Sequence, residues 1–134
     1  MSGSFLDSNI VIYSLGDVEE KRLRSIELIS ENPIISVQVL NEKANILVRK
    51  FQMPIHDIQA IMKRIACECR VTILTEKTHF SALSIKERYQ FSFYDSLIIA
   101  SALEASCNIL YSEDMQHGQI IENKLKIVSP FEVI

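Results

Sequence analysis

The stretch from Phe91 to Gln119 constrains the fold of this chain more than any other. Asp95 stands directly before Ser96-Leu97-Ile98-Ile99-Ala100-Ser101-Ala102-Leu103, a strongly apolar, alanine-containing run that reads as a helix. Asn108 ends it, and Ile109-Leu110-Tyr111 follows as a short strand that runs into Ser112-Glu113-Asp114. An apolar helix feeding an apolar strand this closely points to an alternating architecture, because parallel strands need a crossover and that crossover is usually helical.

The rest of the chain keeps the alternation. Ser4-Phe5-Leu6 reads as a buried strand ending at Asp7, which turns into a helix through Ile10-Val11-Ile12-Tyr13. Val18 to Glu31 places Leu23, Ile26 and Ile29 at helical spacing and is stopped by Asn32-Pro33, after which Ile34-Ile35-Ser36 is a second strand. Val37 to Phe51 is a helix by Val39, Leu40, Ala44, Ile46 and Leu47, with Glu42 in its first half. Beyond Pro54, His56 to Cys69 carries a stripe of Ile58, Ile61, Met62 and Ile65, and Val71-Thr72-Ile73-Leu74 is β-branched. Thr75 with Thr78 opens a helix that runs to about Tyr89, and Leu125-Lys126-Ile127-Val128 reads as a last edge strand before Ser129-Pro130. The expected fold is α/β, a three-layer α/β/α sandwich with a mostly parallel central sheet. With three glycines, three prolines and no linker-like segment, residues 1–134 form one domain.

A net charge of −3 argues against a protein that grips nucleic acid by its overall charge, although Lys21-Arg22-Leu23-Arg24, Arg49-Lys50, Lys63-Arg64 and Lys86-Glu87-Arg88 are local basic clusters. Each cluster taken alone reads as a solvated helix face. Cys67, Cys69 and Cys107 make an odd count and read as core thiols. No run is long and apolar enough to span a bilayer and the start lacks signal-peptide character, so a cytoplasmic location is expected, with no membrane partner.

In open parallel sheets, ligands bind beyond the carboxyl ends of the strands. Asp7 and Asp114 are expected there; Asp95 opens a helix and Glu42 lies one or two turns into another. Singly, an Asp at a helix start is a favoured N-cap and Glu42 is a surface residue. Brought together, four acids repel one another unless a cation offsets them, and an oxygen-only set suits Mg²⁺ or Mn²⁺ rather than zinc. Such a site hydrolyses phosphodiesters through metal-activated water.

These residues resemble the PIN domain and, within it, the VapC-like toxins of toxin–antitoxin pairs. Phe5-Leu6-Asp7-Ser8-Asn9-Ile10-Val11-Ile12 is similar to that family's opening strand and Asp-x-Asn motif, and Asn41-Glu42 to its helix-borne glutamate. Phe93-Tyr94-Asp95-Ser96-Leu97-Ile98-Ile99-Ala100 resembles its third acidic motif, and Ile109-Leu110-Tyr111-Ser112-Glu113-Asp114 its final strand with Ser/Thr-x-Asp. The resemblance covers the whole chain. It implies a PIN-like nuclease domain in which Asp7, Glu42, Asp95 and Asp114 are the catalytic and metal-holding acids, supported by Asn9 and Ser112. It further implies endoribonuclease action on structured RNA such as tRNA or rRNA, a homodimer, and a cognate antitoxin protein bound beside the site. Two departures, Ser112 for the commoner threonine and His117 for an aromatic, bear on substrate detail rather than on the acids.

His56, His79 and His117 are scattered without metal-ligand spacing, though His117 is close enough to Asp114 in sequence to reach RNA. Tyr94 reads as packing on the sheet, with base stacking as the alternative. Other readings are a catalytically silent PIN-like protein-binding module and a Mg-dependent phosphoacceptor domain. The first would normally have lost an acid, and the second needs a lysine at a late strand end, where this chain has Ser112-Glu113-Asp114 and Ser129-Pro130. A haloacid-dehalogenase-type phosphatase wants an aspartate where Asn9 stands, and the glycine patterns of phosphate-loop folds are absent.

Overall fold

The computed structural model describes residues 3–131. Six strands and six helices alternate as β1 (Ser4–Leu6), α1 (Ser8–Tyr13), α2 (Glu19–Ile29), β2 (Ile34–Ser36), α3 (Val37–Arg49), α4 (Ile55–Glu68), β3 (Arg70–Thr72), α5 (Glu76–Tyr89), α6 (Phe93–Glu104), β4 (Ile109–Tyr111), β5 (Ile120–Ile121) and β6 (Leu125–Val128). The sheet order is β3-β2-β1-β4-β6-β5, parallel throughout except for β5. Phe5 and Leu6, neighbours that point to opposite faces of the sheet, are both fully buried, so both faces are covered and the sandwich has three layers.

The core is a continuous cluster built on the two central strands, with Phe5, Leu6 and Leu110 joined by Ile35, Ile99 and Ile127. α6 is buried from Ser96 to Ala102 on nearly every side, which accounts for a sequence with no polar stripe. α5 packs along α6, and Thr75 and Thr78 form the reciprocal cap expected at its start.

Several expectations change. Leu125–Val128 is an inner strand: the edge is β5, which pairs antiparallel with β6 across a turn in which Glu122 and Asn123 both have positive φ. That turn has the primed geometry that suits a tight hairpin, but without the glycine that advertises one. α6 begins at Phe93, capped by Ser92, whose side chain accepts from the Asp95 N–H at 3.1 Å; Asp95 therefore sits in the first turn rather than at its start. α2 turns Ser25, Leu28 and Ile29 inward, leaving Leu23 and Ile26 exposed. Cys69 and Cys107 are core thiols, whereas Cys67 is exposed. No helix among the described residues is long and apolar enough to cross a membrane.

Lys43 on α3 is fully buried. Its Nζ donates to the Val11 carbonyl at 2.7 Å and to Ser14 Oγ at 3.2 Å, in the last turn of α1, where the helix dipole favours a cation. Burial lowers its pKa to about 8. Because the Val11 carbonyl also accepts from the Ser14 N–H and Ser14 Oγ, loss of the ammonium does not orphan it. Lys43→Ala is expected to destabilise the fold by about 2–4 kcal/mol through the void it leaves, and Lys43→Met by less than about 1.5 kcal/mol. Urea denaturation of the two variants checks this ordering.

Candidate active site

The chain reverses its direction of growth across the sheet between β1 and β4, and a crevice opens at such a point beyond the strand ends. Register places the first acids there. Leu6 pairs with Tyr111, so the next residues, Asp7 and Ser112, emerge side by side, and Ser112 Oγ donates to Asp7 Oδ2 at 2.8 Å. The Asp7 N–H continues the ladder to the Tyr111 carbonyl at 3.0 Å, which fixes the backbone from which the carboxylate projects. Its other oxygen caps α1 by accepting from the Ser8 N–H at 2.7 Å. Asp7 thus caps α1 while its carboxylate sits beyond the carboxyl end of β1.

Asn9 Nδ2 donates to Asp114 Oδ2 at 3.0 Å while its Oδ1 accepts from the Glu113 N–H at 3.4 Å, so the Asp-x-Asn segment holds the loop after β4. Glu113 turns the other way, bonded to Tyr13 and ion-paired with Lys21, whose ammonium also lies over the Tyr13 ring. On α3, Glu42 is gripped from both sides: Ser8 Oγ donates to Oε2 at 2.7 Å and Gln38 Nε2 to Oε1 at 2.8 Å.

The acids sense one another. Burial pushes the Asp7 carboxyl up to about 6, with repulsion from Asp95 and Glu42 adding to it; the bonds from Ser112 and Ser8 hold it back. Desolvation also raises Asp95, helped by Asp114 and Glu42 and opposed by the Ser92 contact. Among the described residues no lysine or arginine forms an ion pair with any of the four. Charge repulsion thus links Asp7 to Glu42 and Asp95, and Asp95 to Glu42 and Asp114, with Asp7 buried and Asp114 exposed.

A donor set of carboxylate oxygens with neutral hydroxyl and amide neighbours fits a hard divalent cation, and the unpaired charge at Asp7 is what such an ion would offset. Among the described residues, no three His, Cys, Asp or Glu side chains are grouped closely enough to hold one ion between them as they stand. Hydrogen bonds from Ser8, Gln38 and Asn9 account for where Glu42 and Asp114 rest.

Sequence reasoning missed Ser8 and Gln38 as the residues that orient Glu42. The signal for Gln38 is its place one helical turn before Glu42; for Ser8 there is only adjacency to Asp7. One other expectation is corrected: Tyr94 does not pack on the sheet but is 68% exposed, lining a cleft with Glu42. His117 is exposed, and its Nδ1 accepts the Ser129 N–H at 3.0 Å, a capping role of the kind expected for a histidine without ligand spacing.

The sequence profile of the PIN domain matches residues 4–122. No curated protein matches the sequence. Among solved structures, Mycobacterium tuberculosis VapC20, a sarcin-ricin loop cleaving toxin, is similar with a TM-score of 0.67 at 20% identity over 83% of this chain and 89% of that one. A toxin–antitoxin complex from Klebsiella pneumoniae is similar with a TM-score of 0.71 at 17% identity, over 97% of this chain and 99% of the chain compared. At these identities the likeness is one of fold.

Proposed function

The chain belongs to the PIN-domain family, and from that membership we propose that it is a Mg²⁺- or Mn²⁺-dependent endoribonuclease, the toxin of a toxin–antitoxin pair. The observation that carries the reading is the buried, unpaired Asp7, raised to about 6 within electrostatic reach of Glu42 and Asp95. A fold with no use for a cation there would have little reason to keep such a group.

Asp7, Glu42, Asp95 and Asp114 would hold the metal. When bound, a divalent ion supplies Lewis acidity, easing deprotonation of water and offsetting negative charge on the phosphodiester. Ser112 and the Ser8 backbone keep the Asp7 oxygens aimed into the crevice, and Ser8 and Gln38 keep Glu42 in one rotamer. Asn9 sets the distance of Asp114 from the floor. Structured RNA as substrate is supported by the activity named for VapC20, and an antitoxin partner by the Klebsiella complex. The exposed Leu23 and Ile26 on α2, with a groove between α2 and α4 lined by Leu15, Ile29, Ile61 and Ile65, are compatible with an apolar partner segment. The same reading places the protein in the cytoplasm as a homodimer.

Purified protein freed of any partner is expected to cleave rRNA or tRNA fragments with Mg²⁺ or Mn²⁺, leaving 5′-phosphate and 3′-hydroxyl ends, and to stop on chelation. Lack of cleavage across a full metal titration would sink the enzymatic reading. Ser8→Ala is expected to lower kcat about tenfold by freeing Glu42, a loss on the scale of one hydrogen bond to a charged group. An unchanged kcat would show that Glu42 needs no such hold.

A further inference from the structure

The face of α3 that carries Glu42 also presents Gln38, Asn41 and Asn45. Together with Ile73, Leu74 and Tyr94 they line a cleft of about 820 Å³ that opens directly against Glu42. One wall is amide, the other is aliphatic, and no lysine or arginine lines it. The Tyr94 ring stands out at 68% exposure and Ile73 at 73%.

The amide of Gln38 has only one possible orientation. A carboxylate accepts and does not donate, so the nitrogen must be the atom facing Glu42, and the carbonyl oxygen is turned away from it. That oxygen is buried and has no hydrogen-bond partner. Shut off from solvent, it is shut off from the cleft as well, so Gln38 serves Glu42, and the amides open to an occupant are those of exposed Asn41 and Asn45.

A phosphate is a poor occupant of a cleft whose one charged lining residue is the acid Glu42. The exposed aromatic face suits a flat π system, and the two exposed amide side chains suit a flat edge on which donors and acceptors alternate. A nucleobase has both. We propose that the cleft is a nucleobase subsite, taking the unstacked base of the nucleotide beside the scissile phosphate with its ring against Tyr94 and its edge on the amides of Asn41 and Asn45. The proposal rests on reading the neighbouring acids as a ribonuclease site. It makes Tyr94 and the α3 amides determinants of which RNA is cut, apart from the acids that cut it.

The test uses single-stranded oligoribonucleotides carrying 2-aminopurine at successive positions, bound to the full chain in an Asp95→Asn background with Mg²⁺ so that the RNA stays intact. Fluorescence of one position is expected to be quenched on binding. Adding Tyr94→Ala is expected to remove the quenching and weaken binding about tenfold, within the range for loss of one base–aromatic stack. Asn45→Leu is expected to weaken binding with quenching retained. Replacing that base by an abasic nucleotide is expected to cost the Tyr94 protein about tenfold more than it costs the Tyr94→Ala protein, which loses only the amide contacts. Both side chains are exposed, so the variants fold. Quenching and affinity untouched by Tyr94→Ala would overturn the subsite. So would a Tyr94→Ala variant whose only change is in self-association or in capture of a partner peptide. Cleavage by the unsubstituted protein is scored separately: base binding without cleavage removes the nuclease reading and keeps the subsite, and cleavage without Tyr94-dependent binding does the reverse.

Discussion

Asp95→Asn is expected to reduce RNA cleavage by on the order of a thousandfold while shifting the thermal midpoint by no more than a few degrees. Asp95 is the cleanest acid to remove. It is half-buried in the first turn of α6, and the cap of that helix belongs to Ser92, whose side chain accepts from the Asp95 backbone N–H, a bond that survives the substitution. The change keeps shape and removes one negative charge, the charge that repels both Glu42 and Asp114 and that a cation would need. Single-turnover cleavage with saturating Mn²⁺ separates lost chemistry from weakened metal binding. Undiminished cleavage by the variant would refute the assignment of the four acids.

Asp7→Asn is expected to have two effects of opposite sign: loss of cleavage and a gain in metal-free stability at neutral pH. The folded carboxyl has a pKa of about 6, above its ordinary value of 3.8, because of burial first and the neighbouring acids last. The folded state therefore binds the proton more tightly than the unfolded one. This favours folding below pH 3.8, and the benefit is lost as pH rises through about 6. At pH 7 without metal, ionised Asp7 costs on the order of 2–3 kcal/mol. Asparagine removes the charge and remains a good cap for α1 through its oxygen, while its Nδ2 takes the place of the second carboxylate oxygen and donates to Ser112 Oγ, reversing that bond. Urea unfolding in chelator should show Asp7→Asn more stable than the parent at pH 7–8, with the difference shrinking toward pH 4. Mg²⁺ should narrow it at pH 7 by stabilising only the parent. A variant less stable than the parent at every pH would contradict the burial argument.

The alternation of elements was legible because the apolar runs are short, bounded and of the right period, and because Asp7 follows such a run directly and Asp114 follows one within three residues. Where an acid follows a strand, the sheet places it. Asp95 and Glu42 are different, since their positions depend on how α6 and α3 dock, and only their motif context marked them. What escaped the sequence was decided by tertiary contacts. α2 exposes Leu23 and Ile26 because Leu28 and Ile29 are the residues that meet the core, and a helix of eleven residues with apolar groups on two sides does not announce which side wins. β5 has two residues and no glycine in its turn, so it carried no signal. Tyr94 belongs to a helix that is otherwise buried, yet it lies in the first turn of α6, where that helix leaves the core.

The sheet ends in β5, two residues long and antiparallel, on one side, and in β3, three residues opening with exposed Arg70, on the other. Neither presents a run of free backbone groups long enough to template another strand. Growth by strand addition, the route to fibres and swapped sheets, is blocked at both ends. Assembly with itself or with another protein is left to the helical faces, where side-chain shape rather than backbone pairing selects the partner.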